Sequence, residues 1–293
     1  MTGEKDQHEQ RTPPRHARAC LDDILRRMRG KRLVVFLDYD GTLTPIVRRP
    51  EQATLADSMR DVIRALARQG PVAIISGRDR AVVEQLVRVP GLVYAGSHGF
   101  DISGPGGMRK EHPGGRQLLG ELDAVEEELA RSLTGVQGIL VERKRFAVAV
   151  HTRMVPAPDV ERVERIVAAV GLRHPRLLQR PGKKVLELRP NVEWDKGRAV
   201  RWILEHLGLG GKDVLPLYIG DDDTDEDAFR SLAGDGIGIR VGEGNQPTRA
   251  TYFLHGPPDV ELFLLGVMND RRKPRKPDGS LHVDCPGPSG GRE

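Results

Sequence analysis

Cysteine is nearly absent: the 293 residues contain two, Cys20 and Cys285, one close to each end. That excludes a disulfide framework and a cysteine-based zinc site, and it fits a reducing compartment. Aromatic residues make up 4%, which leaves few platforms for stacking bases. No apolar run approaches the roughly 18 residues of a membrane helix, and residues 1–10 are polar with no apolar signal segment. The sequence therefore reads as a soluble, cytoplasmic protein. The body also lacks net charge. The formal +4 lies wholly in residues 1–18 and 271–293, so no basic footprint for nucleic acid remains.

What is present is an ordinary globular composition, 38% hydrophobic and 30% charged, sufficient to bury a core. The length suits one large α/β unit or two packed domains. Residues 1–18 and 269–293 read as disordered tails, the second basic. Between them, apolar runs of strand length (33–37, 72–75, 92–95, 214–219) alternate with helical patterns such as Leu55, Met59, Val62, Ile63 and Leu66. This alternation predicts a Rossmann-like parallel sheet covered on both faces, with ligands at the carboxyl ends of its strands.

The alternation breaks between Pro113 and Pro190. There a helix, two strands (136–142 and 145–153), a second helix and two more strands (177–179 and 184–188, joined through Pro181-Gly182) form an αββαββ pattern. We therefore expect an α+β lid at 113–189 inserted into an α/β core made of 19–112 and 190–268.

Four constellations carry chemistry. Asp38-Tyr39-Asp40-Gly41-Thr42 follows a buried strand; carboxylates two positions apart are costly there without a cation or substrate, although Asp-x-Asp alone also reads as a solvated turn. Gly220-Asp221-Asp222-Asp223-Thr224-Asp225 follows another strand and offers the hard oxygen ligands that Mg²⁺ prefers. Asp221 is expected to face the metal and the later acids to cap a helix or support the site. Ser76-Gly77-Arg78 stands at a strand-to-helix junction, where a hydroxyl and free N–H groups cradle phosphate or simply cap the helix. Lys196 opens a helix after Trp194-Asp195, against the dipole, which reads as a compensating functional role or as a surface lysine. Gly234-Asp235-Gly236-Ile237-Gly238 is not a nucleotide loop, since it precedes a strand rather than a helix.

Together these four pieces resemble the haloacid dehalogenase superfamily of phosphatases. A finer resemblance, to trehalose-6-phosphate phosphatases with a type IIB-like cap, rests on the 36–46 and 75–78 segments, Gly96-Ser97-His98-Gly99, Lys183-Lys184-Val185-Leu186-Glu187-Leu188-Arg189-Pro190, and 220–229. The resemblance implies Asp38 as nucleophile, Asp40 as general acid and base, and Ser76 and Lys196 as phosphate holders. It implies Mg²⁺ held by Asp38, the Asp40 carbonyl and Asp221, with Asp222 and Asp225 in support. Arg78 and His98 from the core and Glu142, Arg153, Lys183 and Glu187 from the lid are the expected substrate contacts. Strand alternation places Lys183, Glu187 and Arg189 on one face, and His151 with Arg153 on one face. The lid carries a net +4, which suits an anionic substrate.

The expected function is Mg²⁺-dependent hydrolysis of trehalose 6-phosphate by a monomer without nucleic-acid or membrane partners. The alternatives are a phosphatase of sucrose phosphate, glucosylglycerol phosphate or mannosyl-phosphoglycerate, a catalytically silent sugar-phosphate sensor, and a polyanion binder acting through the basic tails.

Overall fold

The computed structural model describes residues 13–47 and 49–272. The outer parts of both expected tails lie outside the described residues; their inner parts belong to the fold. Among the described residues, no helix is long and apolar enough to cross a membrane.

Among the described residues, the large sheet holds nine strands. In chain order these are β1 (Arg15–His16), β2 (Arg32–Leu37), β3 (Val72–Ile75), β4 (Val93–Gly96), β5 (Asp101–Ser103), β6 (Arg109–Glu111) and, after the inserted unit, β11 (Val214–Gly220), β12 (Ile237–Val241) and β13 (Tyr252–Leu254). Their spatial order is β1-β13-β12-β11-β2-β3-β4-β5-β6. All neighbours from β1 to β4 are parallel, and β5 and β6 close the edge as antiparallel strands.

Alternation along β2 shows why both faces are covered. Leu33, Val35 and Leu37 enter one core, with Ile24 of α1 (Leu21–Met28), Met59 and Ile63 of α2 (Asp57–Ala67), Val83 of α3 (Arg80–Val87) and Phe263 of α9 (Pro257–Arg272). Val34 and Phe36 enter the other, with Val200 and Ile203 of α7 (Lys196–His206) and Phe229 of α8 (Asp225–Ser231). Successive side chains of a strand point to opposite faces, so a strand apolar at every position belongs between two helical layers.

Between β6 and α7 lie a short helix α4 (Pro113–Arg116), then α5 (Leu119–Ser132), β7 (Leu140–Lys144), β8 (Ala147–His151), α6 (Ala157–Arg173), β9 (Leu177–Gly182) and β10 (Val185–Pro190). The strands form a second, antiparallel sheet, β7-β8-β10-β9. One face packs Val148, Val150, Leu186 and Leu188 against Leu122, Val125 and Leu129 of α5 and Val163, Val167 and Val170 of α6. The other faces the carboxyl ends of the large sheet.

Four local readings change. β9 runs through Pro181 and Gly182, and the chain turns at Lys183-Lys184, with Lys184 at φ 63°. Pro181 is tolerated because β9 is an edge strand, where a missing N–H breaks no ladder. β7 starts at Leu140 because Gly138 is in the left-handed region at φ 75°, where a Cβ would collide with the Met154 carbonyl. β5 and β6 went unforeseen, being three residues each and, in β6, charged throughout. Residues 13–18, read as tail, contribute β1 and the fully buried Ala17; backbone pairing with β13 carries this strand, and polar side chains conceal it.

Candidate active site

Three neighbouring parallel strands end at one level, and each delivers a candidate residue just past its last apolar position: β2 to Asp38, β3 to Ser76 and β11 to Asp221. The Asp38 N–H donates to the Ile219 carbonyl at 2.9 Å, which carries the ladder into the site. Carboxylate oxygens of Asp38, Asp221 and Asp225 lie within 4.8 Å of one another, and all three side chains are buried. Burial pushes the Asp38 carboxyl well above its usual range, and the charges of Asp225 and Asp221 add to this against Lys196. Burial likewise pushes Asp221 up to about 6, opposed by Lys183.

Lys196 is the counter-charge. Its Nζ donates to Asp38 Oδ1 at 2.8 Å and to Asp225 Oδ1 at 2.7 Å. Burial alone would lower its pKa, but the two carboxylates hold it well above its ordinary value. This explains a lysine at the first residue of α7: the unfavourable dipole is outweighed by two carboxylates, while Asp195 caps the helix by accepting from the Arg198 N–H at 2.8 Å. Asp225 turns inward rather than capping α8. It accepts from Lys196, from the Tyr218 hydroxyl at 2.6 Å and from the Asp222 N–H at 2.9 Å.

Asp40 is gripped by both arms of Arg78, each at 2.7 Å, and Arg78 also donates to the Pro50 carbonyl at 2.9 Å. Gly41 follows at φ 79°, and a Cβ there would collide with the Asp221 carboxylate. Ser76 is 1% exposed, and its Oγ accepts from the Arg78 N–H at 3.1 Å. It lies behind Gly77 and Arg78, which line the cleft in its place.

The cleft, open to solvent, lies between these strand ends and the inner face of the second sheet. Asp38, Asp40, Arg78, His98, Glu142, Arg153, Lys183, Glu187, Lys196, Asp221 and Asp222 line it, so eleven of the thirteen expected site residues converge there, and Ser76 and Asp225 stand behind its wall.

The register explains the inner face. Glu142 pairs with Ala149, Ala149 with Glu187 and Glu187 with Arg180, so one row across four strands reads carboxylate, methyl, carboxylate, guanidinium. Both oxygens of Glu187 are engaged, Oε1 by Lys144 at 2.5 Å and Oε2 by His98 Nε2 at 3.1 Å. Burial opposes its charge, yet Lys144 and His98 keep its carboxyl well below the ordinary range. Lys144 also reaches the Gly77 carbonyl at 3.3 Å, Lys183 donates to the Asp221 carbonyl at 2.9 Å and pairs with its carboxylate, and Arg153 bonds the Val47 carbonyl. His151 pairs with Glu142 at 2.7 Å. The inserted unit is thus closed onto the core through charged groups.

Lys144 and Arg180 were missed in the sequence. Lys144 was legible by the alternation applied to other positions, since it stands two residues from Glu142, whereas the place of Arg180 across from Glu187 depends on the turn falling at Lys183-Lys184 and was not.

A family model described as trehalose-phosphatase matches residues 36–258. The chain is 42% identical over 259 residues to the probable trehalose-phosphate phosphatase D of Arabidopsis thaliana, covering 85% of this chain and 70% of that one. It is 41% identical over 270 residues to the trehalose 6-phosphate phosphatase RA3 of Zea mays, covering 87% and 75%. It shares the fold of the C-terminal domain of the C. albicans trehalose-6-phosphate phosphatase, with TM-score 0.75 and 23% identity over 88% of this chain and 99% of that one. The carboxylate cluster at two neighbouring strand ends and the polar sheet face above it are those of a phosphoric monoester hydrolase of the haloacid dehalogenase fold, and the chain belongs to the trehalose-phosphatase family.

Proposed function

We propose that this phosphatase hydrolyses trehalose 6-phosphate to trehalose and phosphate in the cytoplasm, using Mg²⁺ and an aspartyl-phosphate on Asp38, with residues 113–189 as the substrate lid. The observation that carries it is the buried Asp38–Lys196–Asp225 group beside Asp221, set beneath a sheet face rich in hydrogen-bonding charges. The residues present fit a divalent cation, since buried carboxylates with raised pKa values and hard oxygen atoms are left with a single buried lysine among them. Asp38, the Asp40 carbonyl and Asp221 would hold it, with Asp222 and Asp225 in support. Bound there, the ion would offset charge on the phosphoryl oxygens.

Asp38 attacks phosphorus as the carboxylate, the form Lys196 favours, and the bond to the sugar oxygen breaks. Asp40 gives that oxygen a proton, then takes one from the water that cleaves the aspartyl-phosphate. Arg78 takes one lone pair on each Asp40 oxygen, so the proton moves through the lone pairs left free. Lys196 holds phosphoryl oxygens, and Ser76, behind Gly77 and Arg78, fixes the turn that faces them by accepting from the Arg78 N–H. Glu142, Arg153, Lys183 and Glu187 meet the sugar, with Arg78 and His98 on the core side.

The test is phosphate release from a panel of sugar phosphates, with and without Mg²⁺, for the wild type and Asp38→Asn. Preference for trehalose 6-phosphate, loss on chelation and an inactive variant are expected. A flat substrate profile removes the trehalose assignment, and turnover surviving Asp38→Asn removes the covalent step.

A further inference from the structure

Every cationic side chain lining the cleft is engaged, with one exception among the described residues. Arg78 is held by Asp40, Lys144 by Glu187, Arg153 by carbonyls of Val47 and Lys183, Lys183 by Asp221, and Lys196 by Asp38 and Asp225. Arg180 lines the same cleft, is exposed, and makes no hydrogen bond or ion pair. Its position makes this unusual. Arg180 stands directly across from Glu187, where opposite charges on adjacent strands ordinarily pair. They do not pair because Lys144 and His98 already occupy both oxygens of Glu187. Arg189, on the same face, adds a second positive charge beside it, and Asp227, whose carboxyl feels both guanidinium charges, forms no ion pair with Arg180.

The row itself indicates what Arg180 meets. Ala149 leaves room between Glu142 and Glu187, so a ring seated over this methyl has carboxylate acceptors on both sides. A sugar ring presents hydroxyls that both donate and accept, and two carboxylates satisfy only the donors. The guanidinium at the end of the row supplies a donor that no hydrogen bond within the protein already holds.

We propose that Arg180 is a specificity-determining residue that donates hydrogen bonds to hydroxyls of the sugar portion of the substrate, away from the transferring phosphoryl group. This rests on the sugar-phosphate reading given above. Arg180 lies on an edge strand and its side chain makes no contact the fold depends on, so its variants are expected to fold as the wild type does.

The test is Arg180→Ala and Arg180→Lys, with KM and kcat for trehalose 6-phosphate, and with trehalose and inorganic phosphate as inhibitors of p-nitrophenyl phosphate hydrolysis. Losing a charge-assisted hydrogen bond raises KM about tenfold and leaves kcat within about twofold. Inhibition by trehalose weakens to a similar degree, inhibition by phosphate does not change, and Arg180→Lys recovers part of the loss. Unchanged KM and unchanged trehalose inhibition overturn the inference, as does weakened phosphate inhibition, which would place Arg180 at the phosphoryl group. If the wild type itself shows neither a preference for trehalose 6-phosphate nor inhibition by trehalose, the substrate assignment fails first.

Discussion

Lys196 Nζ lies 2.8 Å from Asp38 Oδ1, with both side chains almost completely buried. The ammonium also bonds Asp225, so it is the one buried cation, among the described residues, that bonds two members of the acidic cluster. Lys196→Met therefore leaves two buried carboxylates uncompensated. We expect a stability loss of about 3–5 kcal/mol, in the range for removing one partner of a buried pair, measured by denaturant unfolding, and loss of phosphate release beyond about a hundredfold.

Asp38→Asn should behave in the opposite way towards stability. Burial and two neighbouring carboxylates already oppose the Asp38 charge, and the amide removes that repulsion while Asp225 keeps Lys196 paired. The expected outcome is a folded, inactive protein whose melting temperature equals or exceeds that of the wild type. A marked drop in melting temperature would show that the Asp38–Lys196 attraction outweighs the repulsion.

Gly41→Ala tests the close approach beneath the site. The position needs φ 79° and has no room beside the Asp221 carboxylate. Strain of about 1–3 kcal/mol is expected for a side chain forced into such a backbone. Because the displaced group is Asp221, Mg²⁺ binding measured by calorimetry should weaken together with activity.

Lys144→Ala removes the cation that holds Glu187 and reaches across to Gly77. Its chief effect should be on KM for the sugar phosphate, by about tenfold, with a smaller change in kcat. Hydrolysis of p-nitrophenyl phosphate, which has no sugar, should remain near the wild-type level.

Acid stability should depend on His98. Burial lowers its pKa from the ordinary 6.5, against the pull of Glu187. The unfolded chain therefore takes up a proton that the folded protein refuses, so stability falls as the pH drops below about 6.5 and continues to fall down to the folded value. Glu187 acts in a lower window, since its carboxyl is held well below 4.5; its contribution is intact at pH 5 and is lost on further acidification. Melting temperatures between pH 7 and pH 5 should slope less in His98→Asn than in the wild type. Asparagine suits the test because it tolerates the φ of 57° found at this position.

Much of this arrangement was legible in the sequence because the strands of the large sheet are apolar throughout and end in chemistry. The runs before Asp38, Ser76 and Asp221 marked both the element and the level at which its side chain emerges. Strand alternation correctly gathered Glu187 with the cleft and sent Leu186 and Leu188 to the opposite face. What escaped depends on partners distant in sequence. Asp225 was expected in support of the site, but not its bond to Lys196, and the grip of Arg78 on Asp40 joins two loops. β1 is carried by backbone pairing, which leaves no mark in side-chain pattern.

The insertion between β6 and α7 has a kinetic consequence. Asp38 and Lys196 are 158 positions apart, and β2 gains its neighbour β11 only when the chain returns after the whole inserted unit. Closing so long a span is entropically expensive, whereas the inserted unit is built from antiparallel strands and helices close together in sequence. During refolding, helical signal should therefore return ahead of phosphate release, and a half-assembled chain has no active centre with which to turn over substrate.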